Sequence, residues 1–284
     1  MHGTPVPCTR QLKNISADSV EETKMQRYLK AINKRIKRNI YNKIIPRYIL
    51  NHNDNGFIKF IDIGSVGGLP EPWDKFASDI SYLLNFEPND APKKTKNSMT
   101  YNTAVWSEEA VLPFYIYKGF SNTGSSLFEQ NFEYVEQNWD ALSKQGPAHL
   151  ANSWVERSQL VKEVTLKCRA LDDIFSEEFP ENDFHFVKID TQGAEFEILQ
   201  GADKFLSTSC VGLHMELFRI PLYKNIKLME EVQALLEGYG FELLMKYPAH
   251  GTFKSQNDCV FIHKSRNPKV AQRIREIYQN EPKA

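Results

Sequence analysis

Short apolar runs that end in an acid or a glycine, separated by stretches with helical spacing, are the feature that most narrows what this 284-residue chain can fold into. The first is Phe57-Ile58-Lys59-Phe60-Ile61-Asp62, followed by Gly64, Gly67 and Gly68. Nearly continuous apolar residues suit a strand buried on both faces, and the glycines suit the loop it feeds. The same grammar recurs at 81–86, 99–105, 184–189 and 210–218, with helical stretches at 194–206 and 228–237. Strands alternating with helices predict a doubly wound α/β fold. Near the end, 241–247 and 258–263 flank a polar loop containing Gly251, which suits an antiparallel pair. The expected architecture is a mostly parallel seven-stranded sheet over 57–284, closed by an antiparallel C-terminal strand pair. Residues 119–167 break the rhythm and mix aromatic with polar residues, so an insertion acting as a lid over substrate is expected there.

Residues 1–56 read as an N-terminal helical extension. Leu29, Ile32, Ile36 and Ile40 recur three or four apart, while Lys24, Arg27, Lys30, Lys34, Arg35, Lys37, Arg38 and Lys43 leave 24–43 without an acid. A solvated face on a helix packed against the main domain is the simplest account. An acidic substrate, a phosphate-bearing carrier or a membrane surface is the alternative, and the apolar stripe would serve a homodimer. Over the whole chain 35 Lys+Arg balance 36 Asp+Glu, so no long-range field draws in nucleic acid and no such partner is expected. A hydrophobic share of 41% and a charged share of 25% exclude collagen-like and wholly disordered classes. Cys8, Cys168, Cys210 and Cys259 form no CxxC pair, so neither a metal nor a redox site is expected from them. Such cysteines, with no signal-like or spanning apolar run, predict a cytoplasmic protein.

Chemistry concentrates where the first strands end. Glycines in Asp62-Ile63-Gly64-Ser65-Val66-Gly67-Gly68 let the backbone approach a ligand, although such loops also serve as plain turns. Leu83-Leu84-Asn85-Phe86-Glu87-Pro88 then places an acid 25 residues beyond Asp62, close to the spacing of a ribose-binding carboxylate after a glycine loop. Together they describe a cofactor containing adenosine; a solvated acid before a proline turn is the alternative for Glu87. The order Gly64-x-x-Gly67-Gly68 lacks the G-x-G-x-x-G spacing that seats a pyrophosphate, so a nicotinamide dinucleotide fits less well.

The stretch Val187-Lys188-Ile189-Asp190-Thr191-Gln192-Gly193-Ala194-Glu195-Phe196-Glu197-Ile198-Leu199-Gln200-Gly201-Ala202 resembles the signature of the FkbM family of S-adenosylmethionine-dependent methyltransferases. Phe60 to Gly68, Phe86-Glu87-Pro88-Asn89, Asn102-Thr103-Ala104, Asn122-Thr123-Gly124-Ser125-Ser126-Leu127 and Leu171-Asp172-Asp173-Ile174 have counterparts in the same order. The resemblance spans 57–263; it departs at Gly68-Leu69-Pro70-Glu71-Pro72-Trp73 and in the longer insertion. It implies a class I, Rossmann-like fold and S-adenosyl-L-methionine as cofactor. By it, Asp62, Gly64, Ser65 and Gly67 line the methionine end, Glu87 holds the ribose hydroxyls, and Asn102 to Ala104 lie near adenine. The implied reaction is in-line methyl transfer to a hydroxyl on a sugar or natural product. An NAD(P)-dependent oxidoreductase and a non-catalytic cofactor-binding module remain the alternatives.

Three residues are candidates for the chemistry itself. Asp190 ends its strand where it would face the cofactor amine or the acceptor, with helix capping as the plainer role. His214 and Glu216 share a strand face, either paired with each other in the core or serving to deprotonate or orient the acceptor. His149 is a lesser candidate within the insertion. Lys188, on an apolar strand, is expected to pair with Asp190 two residues on. For Glu195 the helix dipole is reason enough.

Overall fold

The computed structural model describes residues 46, 49–50, 55–64, 69–88, 90–119, 124–180 and 183–279. The basic stretch 24–43, its apolar stripe, and Ser65 and Gly67 lie outside the described residues.

Eleven strands form among the described residues: β1 (Ile58–Ile63), β2 (Ile80–Phe86), β3 (Lys93–Lys94), β4 (Ser98–Tyr101), β5 (Ala104–Trp106), β6 (Ala110–Tyr117), β7 (Leu160–Ala170), β8 (Phe186–Ile189), β9 (Gly212–Phe218), β10 (Phe241–Lys246) and β11 (Gln256–His263). The main sheet has eight strands in the order β10-β11-β9-β8-β1-β2-β4-β3. Pairings from β4 through β2, β1 and β8 to β9 are parallel. From β4 to β9 the strands therefore run third, second, first, fourth, fifth, the order of a doubly wound sheet, with its switch point between β1 and β8. Beyond β9, β11 and β10 pair antiparallel.

Period two sends alternate residues of each strand to opposite faces, and each face has its own core. Ile61, Ile63, Val187, Ile189, Leu213 and Met215 pack under the helices α5 (Leu171–Glu178), α6 (Glu195–Gln200), α7 (Asp203–Thr208) and α8 (Met229–Gly238), which follow four others named below. Ile58, Phe60, Phe186, Val260 and Ile262 pack on the other face against Trp73 and α9 (Pro268–Gln279). There the Trp73 indole donates to Tyr278 Oη at 2.9 Å, and Arg273 forks onto Asp79 at 2.9 and 3.2 Å, fixing α9 to the sheet.

The expectation of seven strands is corrected at three places. Residues 99–105 are not one strand: Asn102 donates to the carbonyls of Pro88 and Asp90, turning the chain between β4 and β5. β5 then joins a second, three-stranded sheet with β7 and β6. β7 exposes residues on both faces, such as Leu160 and Val161, and so lacks the apolar run that marks a buried strand, whereas β6 does carry such a run but holds Pro113 in its middle, which argues against a strand when read from sequence. The two-residue β3 is made of exposed lysines and gives no apolar signal. The expected helix at 194–206 breaks at Gly201, where a Cβ would stand 2.2 Å from the Trp106 carbonyl.

Between β6 and β7 lie the four short helices α1 (Phe132–Gln137), α2 (Trp139–Leu142), α3 (Ala148–Asn152) and α4 (Trp154–Arg157). Val135, Leu142, Ala151 and Trp154 pack with Leu222, Tyr223, Ile226 and Phe253 in a third apolar cluster. This seats the inserted helices beside the chain that leaves β9. No helix among the described residues is long and apolar enough to cross a membrane.

Candidate active site

The crevice at the switch point is built by backbone fit. Gly64 follows β1 with φ +81°, donates to the Phe86 carbonyl at 3.0 Å, and sits so close to β8 that a Cβ would be 2.0 Å from the Asp190 carbonyl oxygen. Only glycine fits that approach. Asp62, one position inside β1, is buried at 2% exposure. Lys188 Nζ lies 3.8 Å from Asp62 Oδ1 and 3.2 Å from Asp190 Oδ2. The expected Lys188–Asp190 pair is therefore present and is shared with Asp62. Burial opposes the ammonium charge, but Asp190 and Asp62 outweigh it and raise the Lys188 pKa.

Glu87 follows β2 directly and is half-buried, its amide donating to the Tyr101 carbonyl at 3.0 Å. Asn102 is exposed and spends its side-chain amide on the loop after Glu87, while Ala104 is buried at the start of β5.

Asp190 does not cap a helix. Helix α6 has no side-chain cap at Ala194; Glu195, its first residue, turns its carboxylate back to accept from Thr191 N at 2.9 Å, Thr191 Oγ1 at 3.1 Å and Gly193 N at 2.9 Å, closing the turn after β8. Burial pushes the Glu195 pKa up to about 7, against the pull of those donors. In the same turn Gln192 holds φ +58°, a conformation costing a non-glycine residue roughly 1–2 kcal/mol. Its amide Nε2 then reaches Asp190 Oδ1 at 3.1 Å and Glu216 Oε2 at 2.7 Å.

Glu216 and His214 do share a strand face, but they are not partners. The Glu216 carboxylate also accepts from Gln256 Nε2 at 2.6 Å and faces His250 Nε2 at 3.8 Å. Burial, and then Asp190, Asp258 and Glu195, raise its pKa well above the ordinary value. His214 is buried beneath α9, with Nδ1 3.1 Å from Tyr278 Oη and Nε2 3.5 Å from Asp258 Oδ1. Tyr278 Oη accepts from the Trp73 indole and lies within hydrogen-bond distance of His214 Nδ1, so its hydroxyl joins the two rings. His250 Nε2 approaches Asp258 Oδ2 at 3.0 Å, and the Asp258 hydrogen bond raises the His250 pKa. Burial disfavours the Asp258 charge, but the two imidazoles prevail and hold its carboxyl well below the usual range.

Beside this cluster a cavity of about 220 Å³ opens between the inserted helices and the sheet edge. Gln192, Glu216 and Gln256 line it from the sheet side, and Trp154, Arg157 and Gln130 from the insertion. His214 and His149 are not among its lining residues; His149 is exposed on α3.

The methyltransferase FkbM domain family model matches residues 47–243. The chain belongs to this family. The crystal structure of the methyltransferase FkbM from Methylobacillus flagellatus KT aligns with TM-score 0.39 and 11% identity, covering 72% of this chain and 43% of that one. No curated protein matches the chain. The family match begins ten residues before the resemblance read from the motifs and ends within β10.

Of the family signature, sequence reading singled out Asp190 and passed over Gln192, whose backbone conformation and double bridge are visible only in three dimensions. His250 and Asp258 were missed because nothing local links them to Glu216. Their only sequence signal is that both flank the turn between the last two strands.

Proposed function

We propose that the chain transfers a methyl group from S-adenosylmethionine to a hydroxyl of a sugar-like or natural-product acceptor. The observation that carries the reading is the glycine-only approach of Gly64 to Asp190 at the switch point, flanked by Asp62 and Glu87. A cradle with no room for a Cβ, an acid at the end of the next strand and a buried acid before the glycine suit the cofactor's amino-acid and ribose ends. In this reading Asp62 and Gly64 hold the amino-acid end, and the carboxylate of Glu87 accepts the ribose hydroxyls. Asn102 serves by positioning the loop after Glu87.

S-adenosylmethionine supplies a methyl already activated on a sulfonium. The protein's task is alignment, which can contribute roughly 7–11 kcal/mol. The acceptor takes the cavity between the insertion and the sheet, so the inserted helices serve as a substrate cover. Its mixture of Trp154 with amide and guanidinium side chains suits a ring bearing several hydroxyls. Glu216 lines that cavity and Gln192 ties it to Asp190, so one of these two carboxylates takes the acceptor proton, a step that adds about 10²- to 10⁴-fold.

Calorimetry with S-adenosylhomocysteine tests the cofactor assignment, and no binding heat at millimolar ligand refutes it. Incubation with radiolabelled S-adenosylmethionine and fractionated glycan and small-molecule extracts tests the acceptor class. Label appearing only on protein or nucleic acid refutes that class.

A further inference from the structure

We infer that Glu216, His250 and Asp258 form a binding site for a divalent cation at the inner wall of the acceptor cavity. One ligand atom from each lies within 4.8 Å of the other two. The pairs are His250 Nε2 to Asp258 Oδ2 at 3.0 Å and His250 Nε2 to Glu216 Oε1 at 3.8 Å. Atoms bound to one ion at roughly 2.0–2.2 Å stand about 3.0–4.4 Å apart, so small side-chain rotations close the set.

The charge balance of the cluster favours a cation, because its carboxyl groups outnumber its imidazoles. Glu216 and Asp258 are direct cross-strand partners on the antiparallel β9–β11 pair, an arrangement that like charges disfavour. Asp190 and Glu195 add further acid around Glu216, while the nearby Lys188 is already divided between Asp62 and Asp190. Four carboxyl groups around two imidazoles are an excess of acid that either a proton or a bound cation relieves.

The surroundings also resemble an outer shell. Gln192 and Gln256 both donate to Glu216 Oε2, which leaves Oε1 for the ion, and His214 faces Asp258 Oδ1. Main-chain bonds between His250 and Gln256 fix the loop that carries the imidazole. Two carboxylates and one imidazole are an oxygen-rich set, which suits Mg²⁺ or Mn²⁺. Glu216 lines the cavity, so the ion would offer its free positions to acceptor oxygens there. That last role rests on the methyltransferase reading; the binding does not.

The test uses the full chain, free of any affinity tag and stripped with a chelator, titrated with Mn²⁺ while the free-ion paramagnetic resonance signal is followed. One Mn²⁺ per chain, displaced by Mg²⁺, is expected. Glu216→Gln, His250→Ala and Asp258→Asn should each weaken it by at least about tenfold, with circular dichroism reporting the fold. Should the buried Glu216 variant not fold, the more exposed Asp258 variant carries the comparison. No retention at millimolar Mn²⁺, or binding unchanged in the folded variants, overturns the site. Calorimetry with S-adenosylhomocysteine on the same preparation separates the two proposals. Ligand heat without Mn²⁺ binding overturns the cation site alone, and Mn²⁺ binding without ligand heat supports the site while refuting the cofactor assignment.

Discussion

Gly64→Ala is the sharpest single test of how the switch-point crevice is built. The new Cβ would lie 2.0 Å from the Asp190 carbonyl oxygen and 2.9 Å from its carbonyl carbon, both backbone atoms that no rotamer can move. Asp190 is itself held by its amide bond to Ile63 at 3.1 Å, so relief requires β1 and β8 to separate at their C-terminal ends. The φ of +81° adds a conformational cost of roughly 1–2 kcal/mol for an alanine. Overpacking of this kind costs about 1–3 kcal/mol, so a total near 3–4 kcal/mol is expected. For a chain of this length that lowers the melting temperature by roughly 10 °C, at about 2–4 °C per kcal/mol. Urea denaturation followed by circular dichroism should show a lower midpoint at unchanged slope. Calorimetry on the folded fraction should show weakened S-adenosylhomocysteine binding. A variant within about 1 kcal/mol of the parent, inside the range of ordinary surface substitutions, with undiminished affinity, would falsify the claim that this approach shapes the site.

Three further outcomes are expected. Glu87→Ala should weaken S-adenosylhomocysteine by about 10- to 150-fold, the equivalent of a charge-assisted hydrogen bond worth roughly 1.5–3 kcal/mol; equal affinity in calorimetry removes the ribose assignment. Glu195 has a folded pKa of about 7 against 4.5 unperturbed. The folded state therefore holds its proton more tightly, and stability should fall as pH rises from 4.5 to 7, by on the order of 3 kcal/mol. Urea curves across that window should lose this component of the slope in Glu195→Gln, and an identical pH profile in that variant contradicts the assignment. Tyr278→Phe strands the Trp73 indole N–H and the His214 Nδ1 that its hydroxyl joins, so a loss of about 2–4 kcal/mol is expected from two buried groups left unpaired; a loss under half that in urea unfolding contradicts the double pairing.

The sheet was legible wherever burial on both faces forced continuous apolar runs, as in Phe57 to Asp62 and Cys210 to Phe218. It was illegible where strands stay wet. β7 carries Leu160, Val161, Lys162 and Glu163 in succession, all exposed, and its existence depends on pairing with β6 across the inserted helices. Propensity could not announce a strand whose partner sets its conformation. The break between β4 and β5 was hidden for a related reason: Asn102 turns the chain by bonding carbonyls in a loop far from it in space until the fold closes.

The candidate site divides along the same line. Asp62, Gly64, Glu87 and Asp190 were readable because each sits at a strand end, and in a parallel sheet all such ends meet on one edge. Glu216 was readable only as half of a pair with His214, since period two gives the face and not the partner. What decides the partner is register: β11 returns antiparallel and sets Asp258 opposite Glu216 and Val260 opposite His214. Had β11 slipped by one residue, the apolar Cys259 would stand opposite Glu216 and Asp258 would turn to the other face. The alternation of Val260 and Ile262 into one core and Cys259 and Phe261 into the other locks that register. The hydrophobic pattern of the last strand therefore holds two carboxylates side by side against their mutual repulsion, and the His250 loop completes a cluster that no local motif encodes.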